Sequence, residues 1–414
     1  MKTAVQFGAG NIGRGFMGQL FFEAGYRTIF VEAFRDLVDR LNAEGEYPLR
    51  LLDAYSKQEI DMTITNIRAV AVDDIDRVAR IIEEADVIST AVGVRNLRAV
   101  APALARGIRR RLQAGLNGKQ TGQNRNEAVL STGGMKPVDI YLCENILDAP
   151  QQLKEAVYEN LSENERIQAD EVVGFVGTTV ARMVPAVDPE LKRNNSLLVV
   201  ADSYHHLAFD GNANKAEPPE IEGLYPVTNF KAEVERKLFV YNLGHAALAY
   251  LGNLKRYTYV HETMEDKEFY GVFSGALDES SKALLDLYPD DLEYAHHQSL
   301  RRDIDIRYGN PLIKDTITRV GRDPIRKLGP HDRLIGSLNL CLKQGVYPKR
   351  IAGISAAALC YDSCEDQEAQ RLQSLIAERG VSRVIEEITG IDPESRIGEE
   401  ILSSYERLKR EYFT

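Results

Sequence analysis

Short apolar runs alternate with longer amphipathic ones along the first third of the chain. Ala4–Phe7 is a short apolar strand that ends in a glycine turn. Ile12–Ala24 follows with helical spacing, Phe16, Leu20 and Phe21 falling on one side. Thr28–Val31 predicts a second strand, Phe34–Ala43 a second helix, and Ala85–Thr90 a later strand ending in a polar turn. Strand, helix, strand at this spacing predicts a parallel sheet with helices on its faces. Val138–Cys143, Val172–Val176 and Leu197–Ser203 predict further strands. Residues 117–139, rich in Gly, Asn, Gln and Ser, predict a long loop, and the polar stretch Ala208–Tyr225 a connector. From Phe230 onward helical periodicity dominates, as in Ala232–Leu251, Glu279–Leu287 and Ala369–Glu378, and no strong strand pattern recurs.

The turn after the first strand is Gly8-Ala9-Gly10-Asn11-Ile12-Gly13, a GxGxxG that opens a helix. In that setting the first glycine permits the tight turn, the second lets backbone approach a pyrophosphate, and the third lets helix and strand pack closely. The helix N-terminus supplies N–H groups and partial positive charge to phosphates. Glu32 ends the second strand about 20 residues on, where an acid that binds the adenosine ribose belongs. Glu32 repels a 2′-phosphate, which favours NAD over NADP; Arg35 softens that preference. A flavin site, or a glycine turn with no ligand, is the alternative. Thr90-Ala91-Val92-Gly93 ends another strand on the same sheet edge, so Thr90, Val92 and Gly93 are candidate cofactor contacts, or simply a βα turn. The predicted fold is therefore an α/β Rossmann-type N-terminal domain, residues 1–228, followed by a mainly α-helical substrate and catalytic domain, residues 229–414.

Composition narrows the classes further. A chain of 414 residues suggests two domains. No apolar run approaches the roughly 20 residues that span a bilayer, and the glycine motif starts too early to leave room for a signal peptide. The cytoplasm is the expected location. A net charge of −11 argues against nucleic acid as a partner. Cys143, Cys341, Cys360 and Cys364 make no CxxC or zinc spacing. Adjacent histidines in a strand point to opposite faces, so His205-His206 and His296-His297 are no natural chelates. No metal is expected. The oligomeric state is left open, a monomer being one option.

Lys237, Asn242 and His245 share one predicted helix. At about 100° per residue, Asn242 lies about 140° and His245 about 80° from Lys237, so all three can face one side, loosely; about 12 Å of helical rise separates Lys237 from His245, which keeps them from touching but lets both reach one extended substrate. Such residues are unusual on an apolar helix, although a solvated polar face accounts for them equally. Oxidising a secondary alcohol without a metal requires a base, which lysine supplies if its pKa falls from about 10.4 toward neutrality. Amides stabilise the developing alkoxide; Asn242 and Asn145, after a strand in Cys143-Glu144-Asn145, are the candidates. A basic run follows: Arg307-Tyr308-Gly309-Asn310-Pro311, then Arg319, Arg322, Arg326, Lys327 and Arg333. Arginine forks suit phosphate oxygens; a solvated basic face is the alternative.

The stretch KLFVYNLGHAALAYLG at 237–252 resembles the polyol-specific long-chain dehydrogenases, the mannitol dehydrogenase family. The resemblance covers nearly the whole chain, through FGAGNIGRGF at 7–16, TAVG at 90–93, CEN at 143–145, RYGNP at 307–311 and RVGRDPIRKLGPHDRLI at 319–335. It implies a Rossmann domain plus a helical domain with the active site between them, and metal-independent, NAD-linked exchange of mannitol 1-phosphate and fructose 6-phosphate. It further implies Lys237 as the acid–base group, Asn145 and Asn242 polarising the reacting oxygen, His245 orienting substrate, and Arg307 on its hydroxyls. Asn310, Arg322, Arg326, Lys327 and Arg333 complete the candidate substrate contacts. Two departures bear on substrate identity: Ala181 precedes Arg182 where the family often has Asp, and His205-His206 stand where it has Glu-Trp. The alternatives are a relative acting on an unphosphorylated polyol or a sugar acid such as fructuronate, and a non-catalytic NAD-sensing protein.

Overall fold

A computed structural model describes residues 1–119, 135–185 and 187–413. Contacts divide the chain into two compact units, residues 1–53 with 59–231, and residues 54–58 with 232–414.

The first unit is built on an eight-stranded sheet. Its strands are β1 (Thr3–Phe7), β2 (Arg27–Glu32), β5 (Ile67–Ala71), β6 (Val87–Thr90), β7 (Val138–Leu142), β8 (Val173–Val180), β10 (Leu207–Asp210) and β11 (Leu224–Val227), in the order β11-β10-β8-β7-β6-β1-β2-β5. Every pairing is parallel except β10 with β8. Side chains alternate across the strands as the pleat requires. Val5, Phe7, Ile88 and Ile140 face the helices Ile75–Glu84 and Leu97–Lys119, while Ala4, Val87 and Tyr141 face Phe16, Leu20 and Phe21. A smaller sheet orders β4 (Gln58–Ile64), β3 (Tyr47–Asp53) and β9 (Val199–Asp202) as β4-β3-β9.

Four departures from the sequence pattern have local causes. β3, β4 and β5 go unpredicted, and of these β4 carries no apolar alternation because it exposes Gln58, Glu59, Ile60 and Asp61. The expected connector 208–225 holds most of β10 and the start of β11, each only four residues long, too short for a periodic signal between Gly and Pro. The helix Leu97–Lys119 runs past residue 117, and β7 takes up the end of the expected loop; residues 120–134 lie outside those described. His296-His297 belongs to the helix Tyr294–Tyr308, and His205-His206 to irregular chain, so neither pair sits in a strand.

β1 lies between β2 and β6, so the turns that leave β1 and β6 emerge side by side. Phe7 pairs with both Val31 and Thr90, and the Ala91 N–H donates to the Phe7 carbonyl at 2.8 Å. The first unit thus sets the glycine turn and the Thr90–Gly93 turn together at the carboxyl edge of a parallel sheet, where the strand order switches direction.

The second unit is helical. Its centre is Leu243–Leu254, in which ten of twelve residues are buried, as expected of a helix apolar nearly all round. It packs on Val260–Glu265, Lys267–Leu287, Ile317–Gly321 and Lys349–Leu359. The described residues 232–413 of this unit form no strand, only an isolated antiparallel bridge between Tyr259 and Thr316. No described helix is long and apolar enough to cross a membrane.

The glycine turn tolerates no side chain at two points. Gly8 has φ +87°, and a Cβ there would lie 2.5 Å from the Ala91 carbonyl oxygen. A Cβ on Gly13 would stand 1.9 Å from the Gly8 carbonyl oxygen. Gly13→Ala is expected to lower stability by the ~1–3 kcal/mol typical of overpacking, read as a lower urea midpoint. An unchanged midpoint would mean that the turn relaxes freely.

Candidate active site

In the first unit the glycine turn is held by Glu32 and Arg14. Glu32, at the end of β2, is buried, and its carboxylate accepts N–H bonds from Ala9 (2.7 Å), Ala33 (2.7 Å) and Phe34 (3.0 Å). A carboxylate has about four acceptor positions, so one stays open for a hydroxyl. Arg14 is buried behind the turn and donates to the carbonyls of Ala9 (2.7 Å) and Leu197 (2.6 Å); burial lowers its pKa. Gly10 differs from its neighbours. It is exposed, and a Cβ there would meet nothing within 4 Å, so packing does not account for a glycine at this point. A cradle left open over a helix start fits a pyrophosphate. Asn11 is exposed and Ile12 half-buried beside it.

The Thr90–Gly93 turn is organised by Glu144, a buried residue in the Cys-Glu-Asn motif. Its carboxylate accepts from the Thr90 hydroxyl (2.6 Å) and from the Val92 (2.8 Å) and Gly93 (3.3 Å) N–H groups. The Thr90 hydroxyl is therefore engaged within the fold. Asn145 is exposed, and its Oδ1 accepts the Val180 N–H at 3.2 Å, which leaves the amide NH₂ as the outward donor.

In the second unit, Lys237 and Asn242 bound a π-helical turn, Lys237–Asn242, where a regular α-helix is expected. The Leu243 N–H reaches back to Leu238, an i→i−5 bond. A turn of this width lowers the rotation per residue, so Asn242 is brought round toward the side of Lys237 from the roughly 140° of a regular helix. Both are half-buried.

His245 follows in the next turn. Its Nε2 lies 2.9 Å from Asp315 Oδ2, and its ring stacks on Tyr308 with centroids 4.9 Å apart. Asp315 is 2% exposed. Arg319 clamps it with two bonds, Nε to Oδ1 at 2.6 Å and Nη2 to Oδ2 at 2.5 Å. Burial pushes the Asp315 carboxyl up, but the bonds from His245 and Arg319 outweigh it and hold the pKa at about 2. Burial, aided by the charges of Arg319 and Arg333, holds His245 below its ordinary value despite Asp315. A neutral imidazole beside an ionised carboxylate must carry its proton on Nε2, which leaves Nδ1 an acceptor for a hydroxyl.

Arg307 is buried; it donates to the Tyr241 hydroxyl at 3.0 Å and lies 3.3 Å from Asp303. Asn310, also buried, accepts the Leu312 N–H at 3.2 Å. The basic run is largely neutralised from within. Arg326 pairs with Asp323 (2.5 Å) and Asp332 (2.7 Å), and Arg333 with Asp332 (2.8 Å). Lys327 is buried and donates to the Arg322 carbonyl; burial and the charges of Arg333 and Arg326 push its pKa down to about 7. Arg322 is exposed, and no carboxylate among the described residues pairs with it.

The whole chain matches known sequences. Residues 2–121 and 124–223 match the profile described as the mannitol dehydrogenase Rossmann domain, and residues 229–409 that of the mannitol dehydrogenase C-terminal domain. The chain belongs to the mannitol dehydrogenase family. Two curated relatives of this dehydrogenase are the mannitol-1-phosphate 5-dehydrogenases of Brevibacillus brevis, 36% identical over 98% of both chains, and Caldanaerobacter subterraneus subsp. tengcongensis, 34% identical over 99% of both. Two solved structures share its fold. A D-sorbitol dehydrogenase in substrate-free form aligns with TM-score 0.78 at 16% identity, covering 99% of this chain and 93% of that one. Pseudomonas fluorescens mannitol 2-dehydrogenase aligns with TM-score 0.72 at 18% identity, covering 99% and 92%.

Several contributors to the dehydrogenase's two clusters escape the sequence reading. Glu144 sits inside a recognised motif but touches only backbone and a hydroxyl. Asp315 lies between the two recognised motifs of the basic region, and Tyr308 within one of them. Phe34, two residues past Glu32, is 74% exposed, a large ring offered to solvent.

Asp315 makes a pH-dependent contribution. Its pKa is depressed from an ordinary 3.8 to about 2, so its stabilisation is complete above about pH 4 and fades as pH falls through 2. Asp315→Asn is expected to cost on the order of 2 kcal/mol at pH 7. The gap in urea midpoint from wild type should narrow at pH 3; a gap constant with pH would contradict the assignment.

Proposed function

We propose that the chain is an NAD-dependent mannitol-1-phosphate 5-dehydrogenase, interconverting mannitol 1-phosphate and fructose 6-phosphate. The observation that carries this reading is likeness at 34–36% identity over 98–99% of the chain to enzymes of that name. The enzyme is an NAD-dependent polyol oxidoreductase acting on a small molecule in the cytoplasm. Residues 1–228 serve the cofactor and residues 229–414 the substrate and the proton transfer.

The Gly8–Gly13 turn holds the pyrophosphate, with Gly10 giving it room. Glu32 offers its open acceptor position to a ribose hydroxyl, and Phe34 lies against the adenine. Val92 and Gly93 line the cofactor through a turn that Glu144 holds rigid. Bound NAD supplies the hydride acceptor. Lys237 takes the hydroxyl proton as the C–H hydride departs, and returns it in the reverse direction. The Asn242 and Asn145 amides donate to the oxygen as negative charge develops. His245, through Nδ1, accepts from a further hydroxyl and fixes the polyol in register. Arg307 and Asn310 support that wall from within. Arg322, unpaired by carboxylate, is the leading phosphate contact, with Arg326, Lys327 and Arg333 shaping the field around it.

An NADH-oxidation assay with fructose 6-phosphate, fructose and fructuronate tests the substrate. Turnover is expected with fructose 6-phosphate; preference for either other compound would overturn the assignment. Lys237→Ala should lower kcat by about 10²- to 10⁴-fold while NADH still binds, and near-normal turnover would remove its acid–base role. Arg322→Gln should lower the ratio of kcat/KM for fructose 6-phosphate over fructose by about 10- to 100-fold. An unchanged ratio would place the phosphate elsewhere.

A further inference from the structure

The π turn between Lys237 and Asn242 needs support from outside its own helix. A regular α-helix keeps the backbone ladder complete; a widened turn displaces carbonyls from it, and a buried carbonyl without a donor is costly. Two carbonyls in this turn receive hydroxyl protons from other helices. Ser280, in Lys267–Leu287, donates to the Phe239 carbonyl at 2.7 Å and itself accepts from the Ser337 hydroxyl at 2.9 Å. Tyr308, in Tyr294–Tyr308, donates to the Tyr241 carbonyl at 2.7 Å. Ser280, Ser337 and Tyr308 are all buried, at 0%, 0% and 2% exposure, so solvent cannot replace them. The Tyr308 ring also carries His245 in its stack.

We propose that Tyr308 and Ser280 are positioning residues for the proton-transfer step: their hydroxyls hold the helix open by one residue, and this brings Asn242 round toward the side of Lys237. The proposal rests on the reading of Lys237 as the acid–base group. Neither residue contributes a proton to the reaction. Both act by choosing between two forms of one helix, and only the widened form presents the lysine and the amide to the same oxygen. In the regular form Asn242 turns away while Lys237 stays, so the alkoxide loses a donor and the lysine loses a polar neighbour.

Tyr308→Phe keeps the ring under His245 and removes only the hydroxyl. Ser280→Ala removes the other donor, and Ser280→Thr keeps it. These variants are compared with wild type and Lys237→Ala, using mannitol 1-phosphate or the best substrate of the panel above. The readouts are kcat and KM between about pH 6 and pH 10, NADH dissociation by fluorescence, and far-ultraviolet circular dichroism. Tyr308→Phe and Ser280→Ala are expected to lower kcat by about 10- to 100-fold and to move the ionisation that controls it. NADH dissociation should stay within about twofold, and Ser280→Thr should recover most of the rate. If Tyr308→Phe does not fold, the Ser280→Ala and Ser280→Thr pair decides. Folded variants with wild-type kcat and pH profile would overturn the proposal, as would a fall in rate with the pH profile unmoved. Lys237→Ala separates the two levels. Retained turnover there removes the acid–base reading itself, whereas its collapse beside unaffected Tyr308→Phe and Ser280→Ala removes the positioning role alone.

Discussion

A backbone carbonyl taken off the helical ladder inside a protein must find another donor. This constraint governs both halves of the molecule. In the first unit the helix after the glycine turn begins with a π turn, Gly13–Met17, and the Tyr47 hydroxyl donates to the Arg14 carbonyl within it at 2.7 Å. In the second, the Ser280 and Tyr308 hydroxyls donate to the Phe239 and Tyr241 carbonyls. Each widened turn lies where function needs side chains or backbone out of regular helical phase: beside the glycine cradle, and between the lysine and asparagine proposed to work on one oxygen. Tyr47 and Tyr308 are both buried, so water cannot take their place.

Much of this organisation is legible in the sequence. The GxGxxG between a strand and a helix, with an acid ending the next strand, marks the nucleotide half, and Lys237, Asn242 and His245 stand out on an apolar helix. What is not legible is the phase of that helix. Regular geometry lets Asn242 share a side with Lys237 only loosely, about 140° away. The side chains that meet the widened turn, Ser280 and Tyr308, are 41 and 67 residues away from the carbonyls they serve. No local periodicity carries that information. β4 is missed for a related reason: its exposed polar run makes sense only as an outer strand paired to β3.

Charge shows the limit of counting. The run from Arg319 to Arg333 looks strongly cationic in an acidic chain, but Asp315, Asp323 and Asp332 pair with most of its arginines. Burial brings Lys327 down to about 7. The same carboxylates have a positive use. Asp315, held by Arg319, lies against His245 Nε2, so that part of the run acts on a histidine.

These features converge on the widened turn as the element on which the proposed catalytic role of the second unit rests. A crystal structure of Lys237→Ala with NAD and mannitol 1-phosphate tests this most directly. The reacting hydroxyl should lie about 2.6–3.2 Å from the Asn242 amide nitrogen, over the gap left by the lysine, with a neighbouring hydroxyl donating to His245 Nδ1 and residues 237–242 still π-helical. A polyol that touches neither Asn242 nor His245, or a regular α-turn across 237–242, would contradict the account.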